Sequence, residues 1–322
     1  MSRPNENIRS GPDPRMGLKI SATTATLFAL AGHAFLGFEQ SFLQLLVAVL
    51  AGYASALLLE VIDARSNQRP PLFAGGGPRH VAFFLAPAHM TAVTTSFLLY
   101  VNDALWPMVF AVVAAVGSKY IFKLTIRGRK RHFMNPSNFG IALTLLLFHQ
   151  VAVIPYEYTE GMYGRGGAGD WILPLAIVVL GSNLNVRFTR RVPLIVTFLA
   201  TFALQAIVRA WTSGAPLLSG LMPMTGVAFL LFTFYMITDP MTSPASLRGQ
   251  IVFGASISLI YMLLMFTHVI FTLFFSVTLV CALRGAWIAF SSWQEARGGE
   301  LQRGEATGTL RLSRVLQGVK RV

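Results

Sequence analysis

Residues 42–61 read FLQLLVAVLAGYASALLLEV, an apolar run in which Glu60 is the only charged residue. A helix of about 20 apolar residues is long enough to cross the hydrocarbon core of a bilayer. Similar runs recur along the 322-residue chain, where 54% of residues are hydrophobic and only 12% are charged. Soluble domains carry about twice that charged share. The composition therefore predicts an all-α polytopic membrane protein.

The hydropathy pattern divides the chain into ten apolar segments, which we interpret as ten transmembrane helices. The first five cover approximately 18–37, 42–61, 81–101, 105–122 and 136–154. The second five cover approximately 171–184, 192–211, 221–237, 251–266 and 269–290. The sixth segment is short and ends in Gly181-Ser182-Asn183, which indicates a partly broken helix. We predict an N-terminal cytoplasmic segment over 1–17, a transmembrane domain over 18–290 and a cytoplasmic tail over 291–322.

The distribution of basic residues predicts the orientation of these spans. With ten spans, 24 of the 26 Lys and Arg residues fall on the side that holds both termini. Cytoplasmic loops carry the excess of Lys and Arg, so both termini are predicted to be cytoplasmic. The net charge of +13 is explained by this topology, and the lipid bilayer, not nucleic acid, is the predicted partner. The single cysteine, Cys281, excludes a disulfide framework within the chain.

The stretch 127–140, RGRKRHFMNPSNFG, opens the fifth span and is the most distinctive polar feature of the sequence. Asn135 suits a helix N-cap, and Pro136 suits the first helical position, where its missing N–H has no cost. The free N–H groups of a helix N-terminus can bind phosphate or electron-rich ring oxygens. The alternative interpretation is a capped helix that follows ordinary cytoplasmic charges.

A second polar stretch, TDPMTSP at 238–244, ends the eighth span on the same predicted face. Its two prolines stop the helix, and Asp239, Thr242 and Ser243 supply acceptors and hydroxyl groups at the membrane edge. Two polar, proline-broken segments in the two halves of a hydrophobic chain are typical of a ligand site within the membrane. Either motif alone is equally compatible with a capped loop end.

These residues resemble the RnfD/NqrB family of membrane electron-transport subunits. The resemblance lies in SKYIFK at 118–123, FMNPSNFG at 133–140, YMITDPMTSP at 235–244 and RGQIVFG at 248–254. It implies two inverted five-helix repeats in the bacterial plasma membrane. It also implies partner subunits in a respiratory complex that passes electrons through flavins and drives Na⁺ or H⁺ transport. The short chain is similar as well to the RnfD-like UnbU proteins associated with enediyne biosynthesis.

The resemblance implies that a flavin, either riboflavin or FMN, binds between the two motifs. We expect Asn135, Asn138 and Asp239 to hydrogen-bond the ring or the ribityl chain. The remaining residues predicted for this site are Pro136, Ser137, Thr242 and Ser243, with Lys123 or Arg131 meeting the phosphate if the ligand is FMN. The protein would bind and orient the flavin, whose ring carries the redox chemistry.

Covalent attachment of FMN is not expected in this chain. Members of the family carry an S-G-A-T-type motif after the fifth span, and its threonine bears the covalent FMN. The corresponding segment 155–170 reads PYEYTEGMYGRGGAGD, in which Thr159 is the one serine or threonine and its neighbours do not match. The sequence therefore predicts that any flavin is bound noncovalently.

Two carboxylates lie at the predicted cytoplasmic end of the second span. Glu60 and Asp63 are three residues apart on one helical face, where they could coordinate a cation or relay protons. Pairing with Arg65 or Lys119 is the alternative.

A permease or carrier without redox chemistry would use the same broken helices. A membrane scaffold for a redox partner, including one in enediyne-type biosynthesis, would keep the motifs as structural caps.

Overall fold

The computed structural model describes residues 14–35, 40–126, 129–154 and 171–319. The first half of the described chain contains five helices: α1 (Pro14–Phe35), α2 (Phe42–Ser66), α3 (Gly77–Leu98), α4 (Trp106–Ile121) and α5 (Pro136–Leu147). Four short strands accompany them: β1 (Leu99–Tyr100), β2 (Lys123–Ile126), β3 (Arg129–His132) and β4 (Ala152–Val153). β1 pairs with β4 and β2 pairs with β3, both antiparallel.

The second half is helical but less regular. It contains α6 (Ile172–Leu184), α7 (Val192–Ser213), α8 (Leu217–Leu221), α9 (Val227–Leu231), α10 (Leu247–Phe266) and α11 (Thr272–Val319). A π-helical segment, Asn185–Thr189, follows α6 directly, and a second one, Phe232–Met236, follows α9. A 3₁₀ turn, Met222–Thr225, lies between α8 and α9. The backbone of α11 continues without a break from the last predicted span to Val319.

Five helices of the described chain are long and apolar enough to cross a membrane: Phe42–Ser66, Gly77–Leu98, Val192–Ser213, Leu247–Phe266 and Thr272–Glu295. Large apolar side chains such as Leu58, Leu146 and Val196 are exposed on helix surfaces, as a lipid-facing surface requires. The prediction of an all-α membrane protein is confirmed. The count of ten spans stays a prediction, because α4, α5 and the stretch Val227–Met236 are apolar but shorter.

Two glycines allow neighbouring helices to pack at backbone distance. A Cβ atom on Gly140 would lie 2.3 Å from the carbonyl oxygen of Ala111, so α5 approaches α4 as closely as the backbone permits. A Cβ atom on Gly254 would lie 3.0 Å from the carbonyl oxygen of Leu194, where α10 packs on α7. Small residues at such contacts are usual between membrane helices, since packing rather than water exclusion drives their association. These contacts hold the helices that carry the two polar motifs.

The core of the second half is aromatic. Phe198 and Phe202 of α7 are fully buried and contact Phe229 and Phe232 of the broken eighth segment. Phe232 in turn contacts Phe274 of α11. The rings make edge-to-face, tilted and stacked pairs, which are the arrangements that aromatic side chains prefer. This packing fixes the eighth segment beside α7 and α11, and so positions the turn that follows it.

Candidate functional site

Asn135 caps the N-terminus of α5, as its place before Pro136 indicated. Its backbone is extended, and its side-chain Oδ1 accepts a hydrogen bond from the backbone N–H of Asn138 at 3.1 Å. The same Oδ1 accepts from the hydroxyl of Ser137 at 3.2 Å. Pro136 is the first residue of the helix. The residue types of 135–138 therefore explain how α5 begins.

The other end of the Asn135 amide reaches the second half of the chain. Its Nδ2 donates to the carbonyl oxygen of Met236 at 2.8 Å, across 101 positions of sequence. Met236 ends the π-helical segment, and Asn185 of the other π-helical segment donates to the carbonyl of Phe234 at 2.8 Å. Both asparagines are buried. Two amides from different helices thus supply hydrogen bonds to the broken eighth segment, where unpaired carbonyls near lipid would be costly.

The turn at 238–244 satisfies its own polar groups. The carboxylate of Asp239 accepts from the backbone N–H of Met241 at 3.1 Å and from the hydroxyl of Thr242 at 3.0 Å. The hydroxyl of Ser243 donates to the backbone carbonyl of Asp239 at 2.7 Å. Thr242 and Ser243 are both buried, whereas Asp239 is partly exposed. The turn is therefore compact, contains one carboxylate, and directly follows the segment to which Asn135 is hydrogen-bonded.

Asn138 joins the first motif to α11 and retains one open acceptor. Its Nδ2 donates to the carbonyl of Phe274 at 2.9 Å and to the hydroxyl of Thr278 at 2.8 Å. The residue is 1% exposed, and its Oδ1 has no hydrogen-bond partner among the residues that the structure describes. Buried polar atoms are nearly always hydrogen-bonded in native proteins. The open oxygen is thus a place where a ligand or a water molecule would be expected to donate.

The two residues predicted to meet a phosphate lie on the short β2–β3 ribbon and have different surroundings. Lys123 is 3.5 Å from a carboxylate oxygen of Asp63, and its Nζ lies 4.6 Å from the ring centre of Tyr120. Arg131 is paired with Leu124 across the ribbon. Of the predicted set, the structure therefore brings Asn135 into contact with Met236, three positions before Asp239. The charge of Arg131 acts on the arginines beside the turn at 239–243, while Lys123 contacts a carboxylate of α2.

Glu60 and Asp63 share a basic partner that sequence spacing did not indicate. Arg69 lies in the loop after α2 and forms ion pairs with both carboxylates. Glu60 is buried and also accepts a hydrogen bond from the backbone N–H of Leu72 at 2.8 Å. The hydrogen bonds to Glu60 and then Asp63 raise the pKa of Arg69. The arrangement ties the loop at 67–76 to the end of α2, and Arg65 and Lys119, the expected partners, are not the ones used.

A group of basic side chains surrounds the turn at 239–243. Arg191, at the start of α7, donates from Nε to the hydroxyl of Ser243 at 2.8 Å, and Arg284 of α11 donates to the carbonyl of Thr242 at 2.6 Å. Burial lowers the pKa of Arg191 and that of His132, while the charge of Asp239 acts in the opposite direction on both. The sequence indicated Arg191 and Arg284 only as topology signals, because nothing in it shows that Arg191 is buried and that the half-buried Arg284 of α11 reaches this turn.

A cleft of about 390 Å³ lies among α2, α3 and α4. Most of its lining is apolar or aromatic, and Phe84, Pro87 and Tyr120 are among the lining residues. Lys119 is its cationic group and donates to the hydroxyl of Thr91 at 2.8 Å and to the carbonyl of Pro87 at 3.0 Å. Pro87 lies inside α3, and no motif in the sequence marks this cleft.

Two further points of the sequence interpretation concern covalent flavin attachment and metal binding. Thr159, the residue considered for covalent flavin attachment, lies outside the described residues. Within residues 14–35, 40–126, 129–154 and 171–319, no group of three or more His, Cys, Asp or Glu side chains could hold a metal ion. The polar groups at the candidate site are the amides of Asn135 and Asn138, the hydroxyl groups of Thr242 and Ser243, the carboxylate of Asp239 and two arginines.

The fold defines the class of protein as an all-α membrane protein, in which a buried amide hydrogen bond connects Asn135 to the end of the broken eighth segment. Comparison with known proteins then adds one relative. Over 108 residues the chain is 33% identical to the D component of the ion-translocating oxidoreductase complex of Cronobacter sakazakii. The match covers 33% of this chain and 31% of that relative, so the chain spans about a third of the relative's length. No family model matches. The match supports a distant relationship to RnfD-type proteins.

Proposed function

We propose that the protein is a subunit of a membrane electron-transport complex of the RnfD type and that it binds a flavin noncovalently. The proposed site is the joint between 135–138 and 236–243. Similarity to a component of an ion-translocating oxidoreductase complex supports the redox class. The proposal includes other subunits as partners, a bacterial plasma membrane location, and coupling to transport of Na⁺ or H⁺.

The observation that carries this proposal is the contact between Asn135 and Met236, with Asn138 beside it. Two segments 101 residues apart are held together by a buried amide, and the Oδ1 of Asn138 stays unpaired within the described chain. A flavin ring carries N–H and C=O groups on one edge, so it could donate to this acceptor. When bound, the flavin supplies the electron transfer, while Asn135, Asn138 and the 239–243 turn would bind and orient it.

The packing of the helices supports the proposal of two repeats. In the first half, α4 packs on both α2 and α5; in the second half, α10 packs on both α7 and α11. Gly140 and Gly254 permit one close contact in each half. The polar motifs precede α5 and α10 respectively, each at the start of a helix that belongs to one of these groups. An inverted repeat of five spans would produce this correspondence.

The direct test of a flavin site is the visible spectrum of the protein purified from bacterial membranes. We expect flavin absorbance, release of the flavin into the supernatant on denaturation, and no fluorescent band in a denaturing gel. Asn138→Ala should lose most of the flavin, whereas Asn183→Ala, which removes an exposed amide, should retain it. A colourless wild-type protein would overturn the flavin proposal. A fluorescent band that disappears in Thr159→Ala would overturn the noncovalent mode.

A carrier without redox chemistry is the second candidate function, and the cleft with Lys119 favours it. A space of about 390 Å³ with one cationic group is large enough for a small anionic or polar solute. In that case Glu60 and Asp63 would serve as a cation or proton relay beside the cleft. A colourless preparation that transports a solute would favour the carrier.

A further inference from the structure

Two arginines from different helices converge on one turn. Arg191, at the N-terminus of α7, directs Nε to the hydroxyl of Ser243 and Nη2 to the backbone carbonyl of the same residue at 3.5 Å. Arg284 of α11 directs Nη1 to the carbonyl of the preceding residue, Thr242, at 2.6 Å. Adjacent residues thus anchor both guanidinium groups. The two cations are neighbours although 93 positions separate them in the sequence.

Neither guanidinium has a carboxylate partner in the part of the chain that the structure describes. The ion pairs found there are those of Arg69 and Lys123 with the end of α2. Asp239 is the acid whose charge acts on Arg191, but its two carboxylate oxygens accept from Met241 and Thr242 within the turn. The oxygens that meet both arginines are therefore uncharged carbonyl and hydroxyl groups.

Burial makes this arrangement expensive without an anion. Arg191 is 6% exposed, and a buried charge that lacks a counter-ion is strongly destabilising. Arg131 adds a further positive charge, since its field acts on both Arg191 and Arg284. A guanidinium has five N–H donors, and the hydrogen bonds seen here use two from Arg191 and one from Arg284. Donors and charge are left for an anionic ligand.

We propose that Arg191 and Arg284 bind a phosphate group beside Thr242 and Ser243. The planar fork of a guanidinium matches two phosphate oxygens, and clustered arginines are the usual receptors for this group. The phosphate has two possible sources with the same chemistry: FMN, whose ring would occupy the proposed flavin site, or an anionic phospholipid of the cytoplasmic leaflet. The FMN arm rests on the proposed function, and the lipid arm does not.

Binding of four probes to the full chain in lipid nanodiscs tests this site. Fluorescence titration of FMN and of riboflavin is carried out in phosphatidylcholine discs. Native mass spectrometry compares retained phosphatidylglycerol with retained phosphatidylcholine in mixed discs. We expect FMN to bind about tenfold tighter than riboflavin, or phosphatidylglycerol to be retained in preference, because a hydrogen bond to a charged group contributes on that order. Inorganic phosphate at millimolar concentration should weaken whichever preference is found.

Variants of the two arginines assign the preference to this site. Arg191→Gln and Arg284→Gln should abolish the binding preference. Arg191→Lys keeps the positive charge but lacks the planar guanidinium, so it should only reduce the preference. Because the charge is kept, this variant also controls for misfolding. Arg187→Gln removes an exposed arginine from the π-helical segment just before α7 and should leave the preference unchanged.

Three outcomes decide between the site and its alternatives. Equal binding of FMN and riboflavin without phosphatidylglycerol retention would overturn the phosphate site while leaving a flavin site intact. A preference that the arginine variants do not affect would also overturn the phosphate site. Phosphatidylglycerol retention without any flavin would support the phosphate site and count against the proposed function.

Discussion

At the scale of single residues, the polar side chains of this chain hold backbone groups that broken helices would leave unpaired. Asn135 accepts at Oδ1 from the first turn of α5 and donates at Nδ2 to Met236. Glu60 accepts from the N–H of Leu72 in a loop and pairs with Arg69. In both places one side chain connects a helix end to a distant or irregular segment. Such residues are costly to place near lipid, so their hydrogen bonds have structural importance before any ligand is considered.

The tie between Glu60 and the following loop leads to a prediction. Glu60→Gln removes the negative charge that holds Arg69 and weakens the acceptor for the N–H of Leu72. We expect the amide of Leu72 to exchange with solvent about tenfold faster, because local opening of the loop is then easier. Hydrogen–deuterium exchange on the purified protein measures this rate.

The matched control for this change is Arg65→Gln, at an exposed position of the same helix end. The substitution alters the charge near the loop, but Arg65 itself makes none of the ion pairs seen in the described chain. Unchanged exchange at Leu72 in Glu60→Gln would contradict the structural role and favour the interpretation of Glu60 as a relay. Equal acceleration in both variants would point to a general charge effect.

The sequence predicts those interactions that are formed between residues close together in the chain. The N-cap at Asn135 and the polar turn at Asp239 follow from residue types within a few positions of each other. The partner of Glu60 could not be predicted from spacing, because Arg69 reaches it through a loop that folds back. Burial of Arg191 could not be predicted either, since it depends on where α7 and the 238–244 turn pack together. Contacts between distant segments are a property of the fold and not of the local sequence.

At the scale of elements, the eighth segment differs from a regular span in a way that its residue pattern did not indicate. The prolines at 240 and 244 predicted where the segment ends, but not its internal breaks. The structure has a 3₁₀ turn, one short helix and a π-helical segment in succession. π-helical segments are rare and often occur at functional sites. Here the segment that contains Phe234 and Met236 receives hydrogen bonds from Asn185 and Asn135, which satisfy the acceptors that the interruption creates.

The close approach of α4 and α5 gives the element-scale prediction. Gly140→Ala places a Cβ atom 2.3 Å from the carbonyl oxygen of Ala111, which forces the two helices apart. We expect a loss of about 1–3 kcal/mol in stability, the usual cost of overpacking a tight interface. Thermal unfolding of the purified protein, followed by size-exclusion chromatography, measures the shift in melting temperature.

Gly117→Ala on α4 is the matched control, because a Cβ atom there meets nothing within 4 Å. Its melting temperature should stay the same or rise, since alanine is the better helix former. If both variants lowered the melting temperature equally, the α4–α5 contact would not be the cause. Such a result would weaken the argument that this pair holds the first motif in place.

At the scale of the whole molecule, the orientation predicted from 24 of 26 basic residues can be checked by cysteine labelling. Lys130→Cys lies in the predicted cytoplasmic ribbon, and Asp103→Cys lies in a predicted outer loop; both positions are exposed. An impermeant maleimide added to whole cells should label the Asp103 variant and spare the Lys130 variant. The wild-type chain is the control, because its Cys281 is buried.

Labelling of the Lys130 variant from outside would reverse the topology and place both polar motifs on the outer face. Failure to label the Asp103 variant in whole cells, with labelling after lysis, would require a different number of spans. The first result would remove the two motifs from the cytoplasmic face on which the proposed site depends. The five long helices would still define a membrane protein.

The central claim is that the two halves share one flavin site at the Asn135–Met236 joint. Its most direct test is a double-mutant cycle on flavin affinity with Asn135→Ala and Asp239→Ala, with Asn183→Ala as the neutral control. Because Asn135 bonds a residue only three positions before Asp239, we predict a coupling of about 0.5 kcal/mol or more. Effects that add within about 0.3 kcal/mol would contradict a shared site.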